Sequence, residues 1–219
     1  MESKAKQITA ICVHFAVVIM EIIAISVSWN KQGTHMFVYF TELSNIFGAL
    51  VCLVYGCFLI SQLRNGKAVP EYMKILRFVS AGALALTFFT VIFILAPIAG
   101  SKPDYTMAES YIAYLTHDSM IVTHTLGPLS VIFSFLFLDN FETDRFKKVF
   151  FGIIPTVLYV IVSVTMNVLR IWVGPYPFLH VYEQPVWVSI MWLFVMTGFS
   201  FFFCFCLWAL KKQINKKNR

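Results

Sequence analysis

Residues 36–61 read MFVYFTELSNIFGALVCLVYGCFLIS, an apolar run whose one charged residue is Glu42. Crossing a hydrocarbon core of about 30 Å takes about 20 helical residues, so this stretch is long enough to span a membrane. Working outward from it, five more runs qualify: Ile8–Ser28 before it, then Ile75–Pro97, Met120–Leu138, Lys148–Trp172 and Pro185–Leu210. Hydrophobic residues fill 59% of the 219 positions and charged residues 13%, with a mean hydropathy of +0.76. That leaves too little polar surface for a soluble domain. Sustained alternation of polar and apolar residues is missing, which excludes a transmembrane β-barrel. The chain reads as an all-α polytopic membrane protein, a six-helix bundle forming one integral membrane domain over residues 1–219.

Basic residues set the expected orientation. Lys4 and Lys6 precede the first span, and Arg64, Lys67, Lys74 and Arg77 surround the second connection. Arg145, Lys147 and Lys148 mark the fourth, and Lys211, Lys212, Lys216, Lys217 and Arg219 form the tail. Only Lys31, Lys102 and Arg170 lie toward the other side. The positive-inside rule then places both termini in the cytoplasm of a multi-pass protein of the cell membrane. The net charge of +6 follows from this bias and suits anionic headgroups, so no nucleic-acid partner is inferred. Lys4 and Lys6 ahead of an apolar run resemble a signal peptide. The run is too long and lacks a small-residue cleavage site, so it reads as an uncleaved first helix. The 5 cysteines all fall within spans, without disulfide or zinc spacing, and read as small packing residues. Neither a metal nor a cofactor is expected.

A charged side chain at the bilayer centre costs about 2.5–3.5 kcal/mol on insertion scales, so polar residues inside spans point to function. Glu21, Thr41, Glu42, Asn45, His124, Asn167 and Arg170 all fall in the outer half of the spans as drawn. Thr41, Ser44, Asn45, Gly48 and Cys52 form one small or polar stripe on the second span, which also suits close helix packing. Phe40, Phe47, Leu50, Val54 and Phe58 face the other way, toward lipid. Glu42 lies about 100° from the stripe and, with Glu21, can neutralise a cation. Pro128 follows His124 by four residues and has no N–H for its carbonyl, which predicts a bend that turns the imidazole inward. Asn167 and Arg170 are expected to share a helix face. Arg170 then pairs with Glu21 or Glu42, binds an anionic lipid group, or snorkels to the interface. The loop GPYPFLHVYEQ at 174–184 is too aromatic for a plain solvent loop. Its prolines and the rings of Tyr176 and Phe178 suggest that it folds over the outer mouth of the bundle, or forms an ordinary aromatic belt.

VYFTELSN around Thr41, THTLGP around His124 and GPYPFLHVY around Tyr176 and Phe178 stand in this order. Together with the length and span count, they resemble a family of six-span bacterial membrane proteins. Its animal relatives are the androgen-induced and androgen-dependent TFPI-regulating proteins. The resemblance implies a threonine hydrolase acting on fatty-acid esters of hydroxy fatty acids, with Thr41 as nucleophile and His124 as base. The chemistry is consistent with the residues, because a threonine hydroxyl needs a neighbouring base to become a nucleophile. Asn45 or Asn167 is expected to donate to the oxyanion. The partner is then a membrane lipid or fatty-acid ester near the outer interface.

The alternative is a non-enzymatic protein that binds or carries a lipid or amphiphile. Three spans followed by three of opposite direction is the count of an inverted repeat, and Thr165 and Asn167 loosely echo Thr41 and Asn45. His14, His117, His124 and His180 also offer haem ligands, but at different depths.

Overall fold

The computed structural model describes residues 4–104 and 106–217. Arg219 of the basic tail lies outside the described residues. Six helices are long and apolar enough to cross a membrane, and no strand occurs among the described residues. Helix α1 is Lys4–Gln32, continued by a 3-10 turn at Gly33–Val38, and α2 is Phe40–Asn65. Helix α3 is Glu71–Gly100, α4 is the short Met107–Thr116 of the outer loop, and α5 is Ile121–Leu138. Helix α6 is Lys148–Val168 and α7 is Val186–Lys217. The chain is therefore a six-helix membrane bundle.

The bundle is built around α3. Every residue from Phe78 to Thr87 is buried, the pattern of a helix enclosed on all sides. Ser80, Ala81, Gly82, Ala83 and Ala85 make this possible, since small side chains let helix backbones approach closely. A Cβ on Gly82 would lie 2.5 Å from the Cys204 sulfur, and one on Gly152 would lie 2.4 Å from the same atom. Cys204 of α7 thus sits in a notch cut by two glycines. Cys12 and Cys57 instead face outward from the bundle.

Three prolines interrupt three spans. Pro97 and Pro128 each stand near the start of an α-helical segment that follows a π-turn, at Val91–Leu95 and Ile121–Leu126. Pro155 follows a break at Ile153. The cause is shared: the ring cannot donate to the carbonyl four residues back and crowds it, so the ladder re-registers before each proline.

The polar groups within the spans are not confined to one half. A second cluster fills the end that carries both termini. Arg77 Nε pairs with Asp139 Oδ2 at 2.8 Å, and His14 Nε2 lies 2.9 Å from Asp139 Oδ1. Arg77 also donates to the Val131 carbonyl at 3.0 Å and to the Ser134 hydroxyl. Lys211 donates to the carbonyls of Leu136 at 2.9 Å and Asp139 at 2.6 Å. This corrects the sequence reading of Arg77 as a connecting-loop charge, because its side chain is 1% exposed. One carboxylate and its ring of donors join α1, α3, α5 and α7. Burial alone would raise the Asp139 carboxyl, but Arg77 and His14 beside it hold it below the usual carboxylate range. Its contribution is therefore present above about pH 4 and fades only as pH falls further.

Removing one partner leaves a buried charge uncompensated. Asp139→Ala should cost about 3–5 kcal/mol, while Arg77→Met/Asp139→Ala should be the more stable of the two proteins. Thermal melting in detergent measures both, and a double variant no better than the single would show that the pair is not coupled.

Candidate functional site

Thr41 stands in the first turn of α2, where backbone N–H groups have no partner within the helix. The N-cap, Tyr39, has extended backbone angles and supplies no side-chain cap. The missing acceptor comes from the loop between α6 and α7. Thr41 N–H donates to the Tyr176 hydroxyl at 3.2 Å, and Thr41 Oγ1 lies 3.3 Å from the same oxygen. Tyr176 thus caps α2 across 135 residues of sequence. Burial pushes its hydroxyl up to about 12, so it stays protonated and able to donate near neutral pH.

The 174–184 loop folds into the bundle and not into a loose aromatic belt. Tyr176, Phe178 and Leu179 are buried and belong to the main hydrophobic core. The Tyr176 and Phe178 rings stack at 5.2 Å, and Phe178 rests on Trp192 at 5.4 Å. Asn167 anchors the loop, donating from Nδ2 to the Leu179 carbonyl at 2.8 Å. His180 ties the loop to itself through the Gly174 carbonyl and Glu183, both at 2.8 Å.

His124 sits in the π-turn of α5 and is buried. Its Nδ1 donates to the Tyr114 carbonyl at 2.7 Å, since a carbonyl can only accept. In the neutral ring this leaves the lone pair on Nε2, the tautomer a general base requires. Asn45 connects this turn to Thr41, with Nδ2 donating at 2.8 Å to both the Thr41 and the Thr123 carbonyl. Both N–H bonds of Asn45 are thereby used, and its expected role as an oxyanion donor is not available in this arrangement. Among the described residues Thr41 and His124 form no hydrogen bond with each other.

Thr41 lines a cavity of about 30 Å³ together with Thr87, Thr90, Thr156, Tyr159, Tyr176 and Met196. That is room for one or two waters or an ester oxygen, but not for a lipid head group. Thr87 bonds Ser44 at 2.8 Å, whereas the buried Thr90 hydroxyl has no partner. Phe40 and Tyr159 separate this cavity from a groove of about 540 Å³ between α2, α3 and α6. Apart from Ser44 and Tyr159, the groove is lined by apolar side chains, including Leu43, Phe47, Val79 and Leu158. Tyr159 holds its position by donating to the Val38 carbonyl at 2.9 Å. Thr87, Thr90 and Tyr159 were not among the residues expected from sequence. The i, i+3 threonines in an otherwise apolar run were the signal that could have found the first two.

Glu42 is buried and accepts from Ser28 at 2.8 Å. Arg170 departs from expectation. Helix α6 stops at Val168, and Arg170 has a left-handed φ of 57°, so it does not share a helix face with Asn167. Its guanidinium lies exposed over the Tyr182 ring at 4.5 Å and meets neither Glu21 nor Glu42. Thr165 is exposed, so the echo of Thr41 on α6 does not extend to position in the fold. Compared with family models, curated proteins and solved structures, the chain matches none.

Two outcomes follow from these placements. Asn167→Ala leaves the Leu179 carbonyl without its donor and should cost about 1–3 kcal/mol, with faster amide exchange across residues 176–181. Arg170→Leu removes only a surface ring contact and should change stability by less than about 0.5 kcal/mol in detergent melts.

Proposed function

We propose that this chain is a lipid ester hydrolase of the cell membrane, with Thr41 as nucleophile, His124 as base, and the Tyr176 hydroxyl as oxyanion donor. The observation that carries this reading is the meeting of the Thr41 hydroxyl, the Thr41 N–H and the Tyr176 hydroxyl at one wall of a cavity. A helix N-terminus favours negative charge, and a buried, protonated tyrosine is a fixed donor where an oxyanion would form. The order of the Thr41, His124 and Tyr176 motifs, which resembles that of the six-span threonine hydrolases, adds support.

In the proposed reaction an acyl chain lies in the groove between α2, α3 and α6, with its ester carbonyl reaching past Phe40 and Tyr159. Thr41 Oγ attacks the carbonyl carbon while its proton passes to His124 Nε2. The tetrahedral oxyanion then collapses, the ester C–O bond breaks, and His124 returns the proton to the leaving alkoxide. Water hydrolyses the acyl-threonine by the same route and releases a fatty acid. Catalytic hydrogen bonds often tighten only in the substrate complex, which is where this reading puts the contact between His124 and Thr41.

The second reading is a lipid-binding or carrier protein without chemistry. Two observations favour it: the apolar groove, and the separate hydrogen-bond partners of Thr41 and His124.

Labelling with a lipophilic fluorophosphonate separates the two. Thr41→Ala and His124→Ala should each abolish labelling while the protein stays folded, His124→Ala melting somewhat lower because the Tyr114 carbonyl loses its donor, and their effects on labelling should not add. Thr41→Ser should retain some labelling, and Tyr176→Phe should lose about 10²–10³-fold in rate as an oxyanion donor would. Undiminished labelling of the Thr41→Ala protein would exclude the hydrolase mechanism.

A further inference from the structure

With Arg170 outside the bundle, the two acidic side chains between α1 and α2 have no Lys or Arg ion-pair partner among the described residues. Arg77 and Lys211 are committed to the Asp139 cluster at the opposite end. Glu21 is 1% exposed, and neither carboxylate oxygen has a hydrogen-bond donor. Glu42 uses one oxygen on Ser28 and leaves the other unpartnered. Asn45 is also 1% exposed, and its Oδ1 has no donor either. The direction of that Oδ1 is fixed: reversing the amide would set oxygen against the two carbonyls that Nδ2 now serves.

These acceptors converge. A Cβ placed on Gly127 would lie 2.4 Å from Glu21 Oε1, 2.9 Å from the Val122 carbonyl oxygen and 3.1 Å from Asn45 Oδ1. Three oxygens from α1, α2 and α5 thus surround one small volume that exists because residue 127 is glycine. The Val122 carbonyl is aimed there by the π-turn, whose wider ring takes its N–H from Gly127. Unwound helix carbonyls beside a buried acid are a recurring way for membrane proteins to hold sodium or protons. Three acceptors and no donor are costly in an apolar interior unless a positive charge is shared among them.

We propose that Glu21, Asn45 and the Val122 carbonyl form an intramembrane site for one monovalent cation, sodium or a proton. One carboxylate with two neutral oxygens balances a single charge, and a divalent ion would leave an excess in the apolar interior. Among the described residues no three His, Cys, Asp or Glu side chains gather as a metal site. Glu42 lies toward the outer surface, since Ser28, its partner, is seven residues or about 10 Å along α1 from Glu21. Ser28 in turn lies 3.2 Å from Ser119 at the outer end of α5, so a polar route leads inward. This proposal does not depend on the hydrolase reading, although Asn45 joins the site to the Thr41 turn.

The test is thermal melting of the purified full-length protein in detergent, with sodium chloride replaced by choline chloride at equal ionic strength, at about pH 6 and about pH 9. If sodium is the ligand, it should raise the melting temperature by several degrees at the higher pH and less at the lower, where protons compete. The effect should vanish in Glu21→Gln and Gly127→Ala, the second of which fills the space between the oxygens. If a proton is the ligand, the melting temperature should ignore sodium and fall as pH rises, and the fall should disappear in Glu21→Gln. Other titratable groups on the elements packed against α1 are Glu42, Cys52, Tyr55, Cys57 and Arg64 on α2, His35 on the 3-10 turn, His124 on the π-turn, and Asp139 at the far end beside His14 of α1 itself. A pH response therefore supports the site only when Glu21→Gln removes it. A wild-type protein indifferent to both sodium and pH overturns the proposal even if no variant folds. So does a sodium response that survives Glu21→Gln.

Discussion

The half of the bundle away from the two termini is organised by one amide group. Asn45 gives its two N–H bonds to carbonyls on two different helices, the first turn of α2 and the π-turn of α5. In an apolar medium those carbonyls have no water to fall back on, so each bond counts for more than at a protein surface. The register of α2 against α5 follows from it, and so do the positions of Thr41 and His124. The small-residue stripe that includes Ser44, Gly48 and Cys52 then lets α2 close onto its neighbours. A side chain of another shape at position 45 would change all of these together.

The two ends of the bundle treat charge in opposite ways. At the end with both termini, Asp139 meets Arg77 and His14, and Lys211 caps the carbonyls left where α5 stops. Charge is answered there by direct ion pairing, although His14 Nδ1 is left without a hydrogen-bond partner among the described residues. At the other end Glu21, Glu42 and Asn45 present acceptors without donors, and Thr90 has a hydroxyl without a partner. Stability alone would favour apolar residues at these positions. What sets this end apart is that its unsatisfied atoms belong to carboxyl and amide acceptors with no cation beside them among the described residues.

Much of this was legible in the sequence, for a physical reason: the number of spans, their order and the polar stripe of α2 depend on hydropathy and on a 3.6-residue period. The helix ends were less legible. Helix α1 begins at Lys4 and α7 runs to Lys217, because interfacial lysines end a hydropathic run without ending a helix. Helix α6 has the reverse problem, stopping at Val168 where the sequence offers no glycine until Gly174. Arg170 was misplaced for that reason. Arg77 was misjudged because nothing local shows that Asp139, far along the chain, lies against it. Tyr176 was singled out as aromatic, but its bond to Thr41 is a product of tertiary folding that no periodicity carries.

The groove between α2, α3 and α6 lies among apolar side chains of three membrane-spanning helices, and it shares Phe40 and Tyr159 with the Thr41 cavity. An amphiphile arriving by this route never leaves the leaflet. Under the proposed reading its supply would be set by lateral diffusion and by its mole fraction among neighbouring lipids, so adding bulk lipid at fixed composition would not raise occupancy. Chain length would be judged by how far a tail follows the groove, much as a ruler is read from a fixed zero. The side chains at that zero, Phe40 and Tyr159, would decide which carbon of the tail comes to rest beside the polar wall.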